Sequence, residues 1–434
     1  MENSGNRRPE GQNRRPNSGG NGGYRRGGFN RSRNRGASFG QRGQRGGRGG
    51  FQNRNPKKKF KGEFIDEKLF IKKAVPQQEA VKYEHTFVYE NLQLNSELKV
   101  NISKKGYFIP TPIQDKVIPQ ILAGKDIVGL ANTGTGKTAA FLIPTIEKII
   151  KDRSQKVLII VPTRELAEQV KDEFFILTKH LGIYSALCIG GKAIGGQIRD
   201  LNRGSHFVIG TPGRLKDLRD RGAIDFSKFS TIILDEVDRM LDMGFINEIK
   251  AIIEQLPKER QSLFFSATMD KKVDALLHTI MKPTYQKISV VQGSASQNVD
   301  QDVIPYFSYD DKLLKFKEAL KGYPKDKVLV FVSTKREVDK LNKMLFTEGF
   351  SVDAIHGNKR QNLRKRVIDK FKSGSLNILI ATDVAARGLD IPKVALVLNY
   401  DVPNNYEDYV HRIGRTGRAN SFGNALTMIK KGNS

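Results

Sequence analysis

Residues 126–141 read DIVGLANTGTGKTAAF: an apolar run, a turn holding two glycines, and Lys137-Thr138 opening a helical stretch. Gly134 and Gly136 allow backbone N–H groups to approach a ligand, and a helix N-terminus adds the positive end of its dipole. Together with Thr133 and Thr135 the turn predicts a phosphate cradle. Lys137 is placed to reach the outer phosphates of a nucleoside triphosphate, and Thr138 to hold Mg2+. A purely structural turn has no need of strand, glycine loop, Lys-Thr and helix in that order. The loop begins with Ala131 where the usual phosphate-loop pattern has glycine.

Outward from this stretch the same pattern repeats. KVLIIVPT (156–163), HFVIGT (206–211), STIILDE (230–236), SLFFSAT (262–268), KVLVFVST (327–334), LNILIATD (376–383) and VALVLNY (394–400) are short apolar runs ending in polar clusters. Helical-period stretches such as RELAEQVKDEFFILTKHL (164–181) and KREVDKLNKMLFTEGF (335–350) separate them. Strands apolar on both faces, alternating with helices, predict parallel α/β sheets whose functional residues gather beyond the strands' carboxyl ends. A Gly/Ser/Gln/Asn-rich stretch within 282–303 divides the chain into two such halves. The expected organisation is an arm over 1–61, a connecting segment over 62–84, a first domain over 85–283, a linker over 284–300 and a second domain over 301–434.

The run ILDEVD (233–238) supplies the acids that a phosphate site needs. Asp235 fits the Mg2+-holding acid at the end of a second strand, and Glu236 the group that orients or deprotonates the attacking water. Acids after an apolar run often only cap a helix; the phosphate loop in the same half favours the catalytic reading.

Composition narrows the partners. The formal net charge is +28, and residues 1–61 carry seventeen Lys+Arg against two Asp+Glu. Such a field attracts polyanions, nucleic acid first among them. The first 55 residues are Gly, Arg, Asn, Ser and Gln with Tyr24, Phe29, Phe39 and Phe51 interspersed, a composition that predicts disorder. Guanidiniums for phosphates and rings for bases suit an auxiliary RNA-binding arm better than an inert solvated tail. Cys188 is the only cysteine, which excludes an intramolecular disulfide and suits a reducing compartment. With no apolar run near the ~18 residues of a membrane span and no signal-like start, a cytoplasmic protein without a membrane partner is expected.

From about residue 87 the chain resembles the DEAD-box RNA helicases, and its motifs follow that family's order. The resemblance implies two tandem RecA-like domains, ATP and Mg2+ as ligands, and an RNA-dependent ATPase. GYFIPTPIQ (106–114) is similar to the family's glutamine motif, which implies that Gln114 reads adenine. An aromatic also stacks on that base in the family; Tyr89 has the usual offset and Phe87 the more usual residue type, so both stand as candidates.

The resemblance implies RNA-backbone contacts from Pro162, Thr163 and Arg164, from Gly190 and Gly191, from Thr211, Pro212, Gly213 and Arg214, and from Thr382 and Arg387. Gly388 and Asp390 are implied to face the nucleotide. HRIGRTGR (411–418) carries two implied arginine fingers, Arg415 and Arg418. Interdomain coupling is implied for Asp238 with Ser266 and Thr268, and for His411 with Arg412. RNA, as single strands or short duplexes gripped across both domains by a monomer, would be opened locally on domain closure. An annealing protein run by the arm, or a DNA helicase of the same superfamily, are the rival readings.

Two departures from the family pattern stand out. Val237 occupies the third place of Asp-Glu-Ala-Asp, where a packing change beside an intact site is expected. After GRTGR the chain reads ANSFGNALTMIKKGNS, without the helix that usually follows the last strand, so further RNA anchoring is expected from residues 1–61.

Overall fold

The computed structural model describes residues 66–74, 83–132, 134–290, 298–386, 391, 393–417 and 422–432. The arm over 1–61 lies outside the described residues.

The first sheet holds β1 (Ile127–Leu130), β2 (Val157–Ile160), β3 (Ser185–Cys188), β4 (Phe207–Gly210), β5 (Thr231–Leu234), β6 (Gln261–Ser266) and β7 (Gln286–Ser289), in spatial order β3-β4-β2-β5-β6-β1-β7. The second holds β8 (Val299–Tyr306), β9 (Lys327–Phe331), β10 (Val352–Ile355), β11 (Ile378–Ala381), β12 (Val394–Asn399) and β13 (Gly423–Lys430), in order β10-β11-β9-β12-β13-β8. Neighbouring strands run parallel throughout both sheets. These are the two parallel-sheet α/β domains that the strand-helix alternation predicts.

Why the central strands are continuous apolar runs is visible in how they pack. Val157, Ile159 and Val161 belong to one buried layer, with the helices Pro112–Leu122, Lys137–Lys151 and Arg164–Leu177. Leu158 and Ile160 belong to the opposite layer, under the helices Pro212–Asp220, Ile246–Ile253 and Lys271–Ile280. Both faces of a central strand are therefore covered, so polar alternation has no place in it. In the second sheet Val328 and Val330 face one layer while Leu329 and Phe331 face the other.

Residues at the sheet margins behave differently. The strand Gln286–Ser289 lies inside the span 284–300 expected as linker, yet pairs with β1 along its whole length. Its exposure alternates residue by residue, which is why it reads as a polar segment. The first sheet thus extends past residue 283. Within the expected connecting segment, Glu67–Phe70 form a short 3-10 helix and Lys72 bridges antiparallel to Gln301 at the edge of the second sheet. Among the described residues, no helix is long and apolar enough to cross a membrane.

Val237 opens the short helix Val237–Asp242 and is wholly buried in the layer that contains Leu234, Met240 and Phe264. Truncating Val237→Ala removes two methyl groups from this layer. It is expected to lower the stability of the first domain by about 1.5 kcal/mol, at roughly 0.8 kcal/mol per buried carbon. Urea unfolding followed by circular dichroism measures this; an unchanged first-domain transition would show that the side chain is not packed.

Candidate active site

Parallel topology brings six strand ends into one row. The loops after β1, β5 and β6 are neighbours, because those strands lie side by side in the order β5-β6-β1. They carry the glycine loop, ILDEVD and SAT. The other half of the row, β3-β4-β2, carries Gly190-Gly191, TPGR and PTRELA.

In the glycine loop Gly134 and Gly136 have φ of 86° and 92°, a region open to glycine at no steric cost. A Cβ on Gly136 would also collide with the Gln114 side-chain amide, which would have to leave its place on the loop. The glutamine segment docks onto the loop directly. Gln114 Nε2 donates to the Gly136 carbonyl at 3.0 Å, and Thr111 Oγ1 donates to the Thr135 carbonyl at 2.7 Å. Lys137 is buried, its ammonium donating to the Ala131 carbonyl at 2.8 Å. Thr133 lies outside the described residues.

The three acids have separate surroundings. Asp235 is 2% exposed, and burial pushes its carboxyl up to about 6 against the opposing pull of the Lys137 ammonium. Glu236 adopts the left-handed conformation at φ 55° and ψ 52°, uncommon for a residue with a side chain. That kink separates β5 from the next helix and lets Glu236 and Asp238 diverge. Glu236 Oε2 pairs with Arg239 at 3.1 Å inside the protein.

Asp238 Oδ2 accepts from the backbone N–H groups of Ala267 and Thr268, at 3.0 and 3.1 Å, and from the Thr268 hydroxyl at 3.3 Å. Ser266 Oγ accepts from the Asp238 N–H at 3.4 Å. Burial would raise the Asp238 carboxyl, but the charges of Lys137, Arg239 and His411 prevail and hold it below the usual carboxylate range.

A cleft of about 740 Å³ joins these parts, lined by Gln114, Gly134, Gly136, Lys137, Thr138, Asp235 and Glu236, with Lys372 contributed by the second domain. Tyr107, Phe108 and Ile109 extend its wall. Tyr89 takes another place than the one expected for a stacking ring. It is 3% exposed, and its hydroxyl donates to Gln114 Oε1 at 2.8 Å, so it supports the glutamine from beneath. Phe87 packs edge-on to Tyr89, with centroids 5.8 Å apart. The aromatic ring exposed at the cleft is Phe108, which no spacing in the sequence singles out.

On the other half of the row, Thr163 caps the helix Arg164–Leu177 by accepting from the Leu166 N–H, directly after Pro162. Arg164 lies across Gly190 and Gly191: a Cβ on Gly191 would stand 2.5 Å from its guanidinium. Thr211 and Pro212 open the helix Pro212–Asp220. Gly213 has open space where a Cβ would stand, and Arg214 donates to the Lys192 carbonyl at 3.2 Å. These expected contacts therefore form one contiguous rim of N–H groups, hydroxyls and guanidiniums.

The second domain meets this rim through a buried contact. Glu165 Oε1 accepts from Gln361 Nε2 at 3.0 Å and pairs with Arg364 at 2.9 Å. No local pattern announces a pair 196 residues apart in sequence. Arg239, by contrast, stands three places after Glu236 at the start of a helix, a spacing that favours ion pairing.

Arg412 differs from its expected interdomain role. Its guanidinium forks onto both Asp383 oxygens at 2.6 and 2.8 Å, and also donates to Asn399 Oδ1 and the Asp401 carbonyl. These partners all belong to its own domain, because the planar donor fork is already matched there. It thereby fixes Asp383, next to Thr382 at the end of β11. Arg415 is 2% exposed and lines a small cavity with Phe331, Asp383, Asp408 and His411, apart from the nucleotide cleft. Arg387, Gly388, Asp390 and Arg418 lie outside the described residues.

The DEAD/DEAH box helicase pattern matches residues 111–276, and the helicase conserved C-terminal domain matches residues 311–420. The DEAD-box ATP-dependent RNA helicase CshA of Streptococcus pneumoniae is 44% identical over 79% of this chain and 65% of its own length. CshA of Geobacillus kaustophilus is 41% identical over 79% of this chain and 73% of its own length. The structure of S. cerevisiae Dbp5 bound to RNA and ADP BeF3 superposes with a TM-score of 0.69 at 30% identity, covering 79% of this chain and 89% of that one. The chain spans less than two thirds of the length of several relatives, 61 to 65% in three of them. With both halves matched in order and the strand-end motifs assembled as described, the chain belongs to the DEAD-box helicase family.

Proposed function

We propose that the protein hydrolyses ATP in a reaction stimulated by RNA, and uses the cycle to open short duplexes or displace proteins from RNA locally. The arrangement of the first sheet carries this reading. Phosphate loop, acids and SAT turn occupy three neighbouring strand ends, and a rim suited to phosphate backbones occupies the adjoining three.

Phosphate oxygens would replace the Ala131 carbonyl as acceptors for Lys137, and the N–H groups of the glycine loop would complete the cradle. Gln114 offers an amide donor and acceptor to the adenine edge. Asp235 and Thr138 supply hard oxygen donors on the same cleft, a set that fits Mg2+, which when bound neutralises phosphate charge. Glu236 accepts a proton from the attacking water. The new O–P bond forms as the bond between the γ-phosphorus and its bridging oxygen breaks, leaving ADP and phosphate. Domain closure would bring Arg415 and Arg418 to the developing charge.

RNA backbone lies across the rim and onto Thr382 and Arg387 of the second domain, in a bent path that one strand tolerates and a duplex does not. S. cerevisiae Dbp5, bound to RNA and ADP BeF3 in one structure, supports simultaneous binding of the two ligands here. The reading is of a cytoplasmic monomer with the Arg/Gly-rich arm as an auxiliary RNA contact.

Replacing Glu236→Gln removes the proton acceptor and is expected to lower turnover by about 10²–10⁴-fold while nucleotide still binds. Phosphate release with and without RNA measures it; persistent RNA-stimulated turnover would refute the assignment, and equal stimulation by DNA would redirect the substrate.

The Asp235 carboxyl, pushed up to about 6 in the free protein, is protonated below that pH and then poorly suited to hold metal. The apparent KM for Mg-ATP should therefore rise as pH falls, about fourfold between pH 7.5 and 5.5 for one such proton. A flat KM across this interval would contradict the role given to Asp235.

Deleting residues 1–55 should leave basal ATPase intact, weaken RNA binding and reduce the slope of affinity against salt. An unchanged slope in filter-binding titrations would remove the arm from the RNA contact.

A further inference from the structure

The segment Asp66–Ala74 precedes the first domain in the chain but packs on the second. Its anchor is Phe70, 1% exposed, while Leu69 and Ile71 on either side are 46% and 51% exposed. The Phe70 ring meets Tyr409 edge-on with centroids 4.7 Å apart, within a cluster that also contains Val299, Ile413 and Ala425. Lys72 and Gln301 exchange backbone hydrogen bonds at 3.0 and 2.8 Å, extending the edge of the second sheet. The Ala74 N–H donates to Asp300 Oδ1 at 2.8 Å, and Lys431 pairs with Glu67 at 2.6 Å.

These contacts converge on one helix. Tyr409 and Ile413 lie four residues apart on the helix Tyr406–Ile413 and so share one face. The same helix carries His411 and Arg412, and Arg415 follows two residues after its end. Tyr409 is held a second time, its hydroxyl donating to Gln301 Oε1 at 3.0 Å, and Gln301 is the residue that Lys72 bridges. Phe70 and Lys72 therefore bear on the Tyr409 ring and on its hydrogen-bond partner together. On the same helix Arg412 is held by Asp383, Asn399 and Asp401.

We propose that Phe70 is a positioning residue for ATP hydrolysis: by packing on Tyr409 it sets the helix that carries His411 and Arg412 and leads to Arg415. This rests on the ATPase reading above. Phe70 lies against Tyr409 and is not among the residues that line the cleft. Its effect falls on the step that needs the arginine, whereas ATP affinity is governed by Gln114 and the glycine loop of the other domain. A ring that merely fills a groove at the sheet edge would instead contribute stability and leave turnover of folded protein unchanged.

The test uses the full chain carrying Phe70→Ala, with Phe70→Leu as the conservative variant. Turnover is assayed with saturating RNA below the unfolding transition of each protein, and hydrogen exchange reports on the second domain. Phe70→Ala should lower kcat about tenfold, the scale expected when a catalytic group is misplaced by a fraction of an ångström. KM for ATP should stay within about twofold, and amide exchange should accelerate within 406–416 but not in β9, β11 or β12. Phe70→Leu should recover most of kcat.

Unchanged kcat in Phe70→Ala, a loss appearing in KM alone, or loss of protection across the whole second sheet would overturn the proposal. Wild-type chain without RNA-stimulated turnover would refute the ATPase reading instead. The exchange measurement still decides on Phe70 in that event, since unaltered exchange at 406–416 refutes its positioning of the helix.

Discussion

Three carboxylates remain inside the protein at the end of β5 because each is met by a positive group or by aligned donors. Asp235 has the Lys137 ammonium in its field, Glu236 has Arg239 at 3.1 Å, and Asp238 has two backbone N–H groups and a hydroxyl. An unpaired buried carboxylate costs several kcal/mol or gives up its charge. Asp235 and Asp238 differ in the quality of that compensation. Asp238, the better served of the two, stays below the usual carboxylate range; Asp235 is pushed up by burial, with two neighbouring acids adding to it against the pull of Lys137. The remaining imbalance falls on Asp235, which lines the cleft beside Lys137.

Sheet order converts this local arrangement into a divided surface. Because β5, β6 and β1 are adjacent, residues about a hundred positions apart, such as Lys137 and Asp235, line one cleft. Because β3, β4 and β2 are adjacent, Arg164 reaches Gly190 and Gly191 although they follow a different strand. Asp238 and Glu165 stand at the ends of β5 and at the start of the helix after β2, which are neighbouring strands. The first is within the influence of His411, and the second is bonded to Gln361 and Arg364. The second domain thus faces both halves of the row.

How far sequence alone reaches depends on burial. The strands quoted as apolar runs are β1, β2, β4, β5, β6, β9, β11 and β12, interior members of the two sheets, where covering on both faces forces a strong signal. The strands without such a signal include β3 and β7 at the margins of the first sheet, and β10 and β8 at those of the second. An edge strand is covered on fewer sides, so polar residues intrude and the pattern fades. In the site, residues joined by short spacing were readable: Lys137 with Thr138, and Asp235 with Glu236. Contacts set by tertiary approach were not. Glu165 with Arg364 and Phe70 with Tyr409 have no local pattern, and Arg412 reads as an interdomain group until its donor fork is found occupied by Asp383 and Asn399. Tyr89 has the spacing of a stacking ring, but spacing does not reveal that its hydroxyl is bonded to Gln114.

Val237 shows the same distinction between what a motif spells and what a fold requires. Glu236 in the left-handed region turns the chain sharply, so that Glu236 lines the cleft while the next side chain points into the apolar layer beneath. The pocket that receives residue 237 is formed with Leu234, Met240 and Phe264, none of which meets the nucleotide cleft. A residue there is selected by volume and by its fit to the first turn of a helix, not by chemistry. Two extra methyl groups relative to alanine are therefore accommodated by core packing, and the hydrogen bonds of Asp238 to Ala267 and Thr268 remain within ordinary length. The acids depend on the backbone kink that separates them from this pocket, and valine leaves that kink in place.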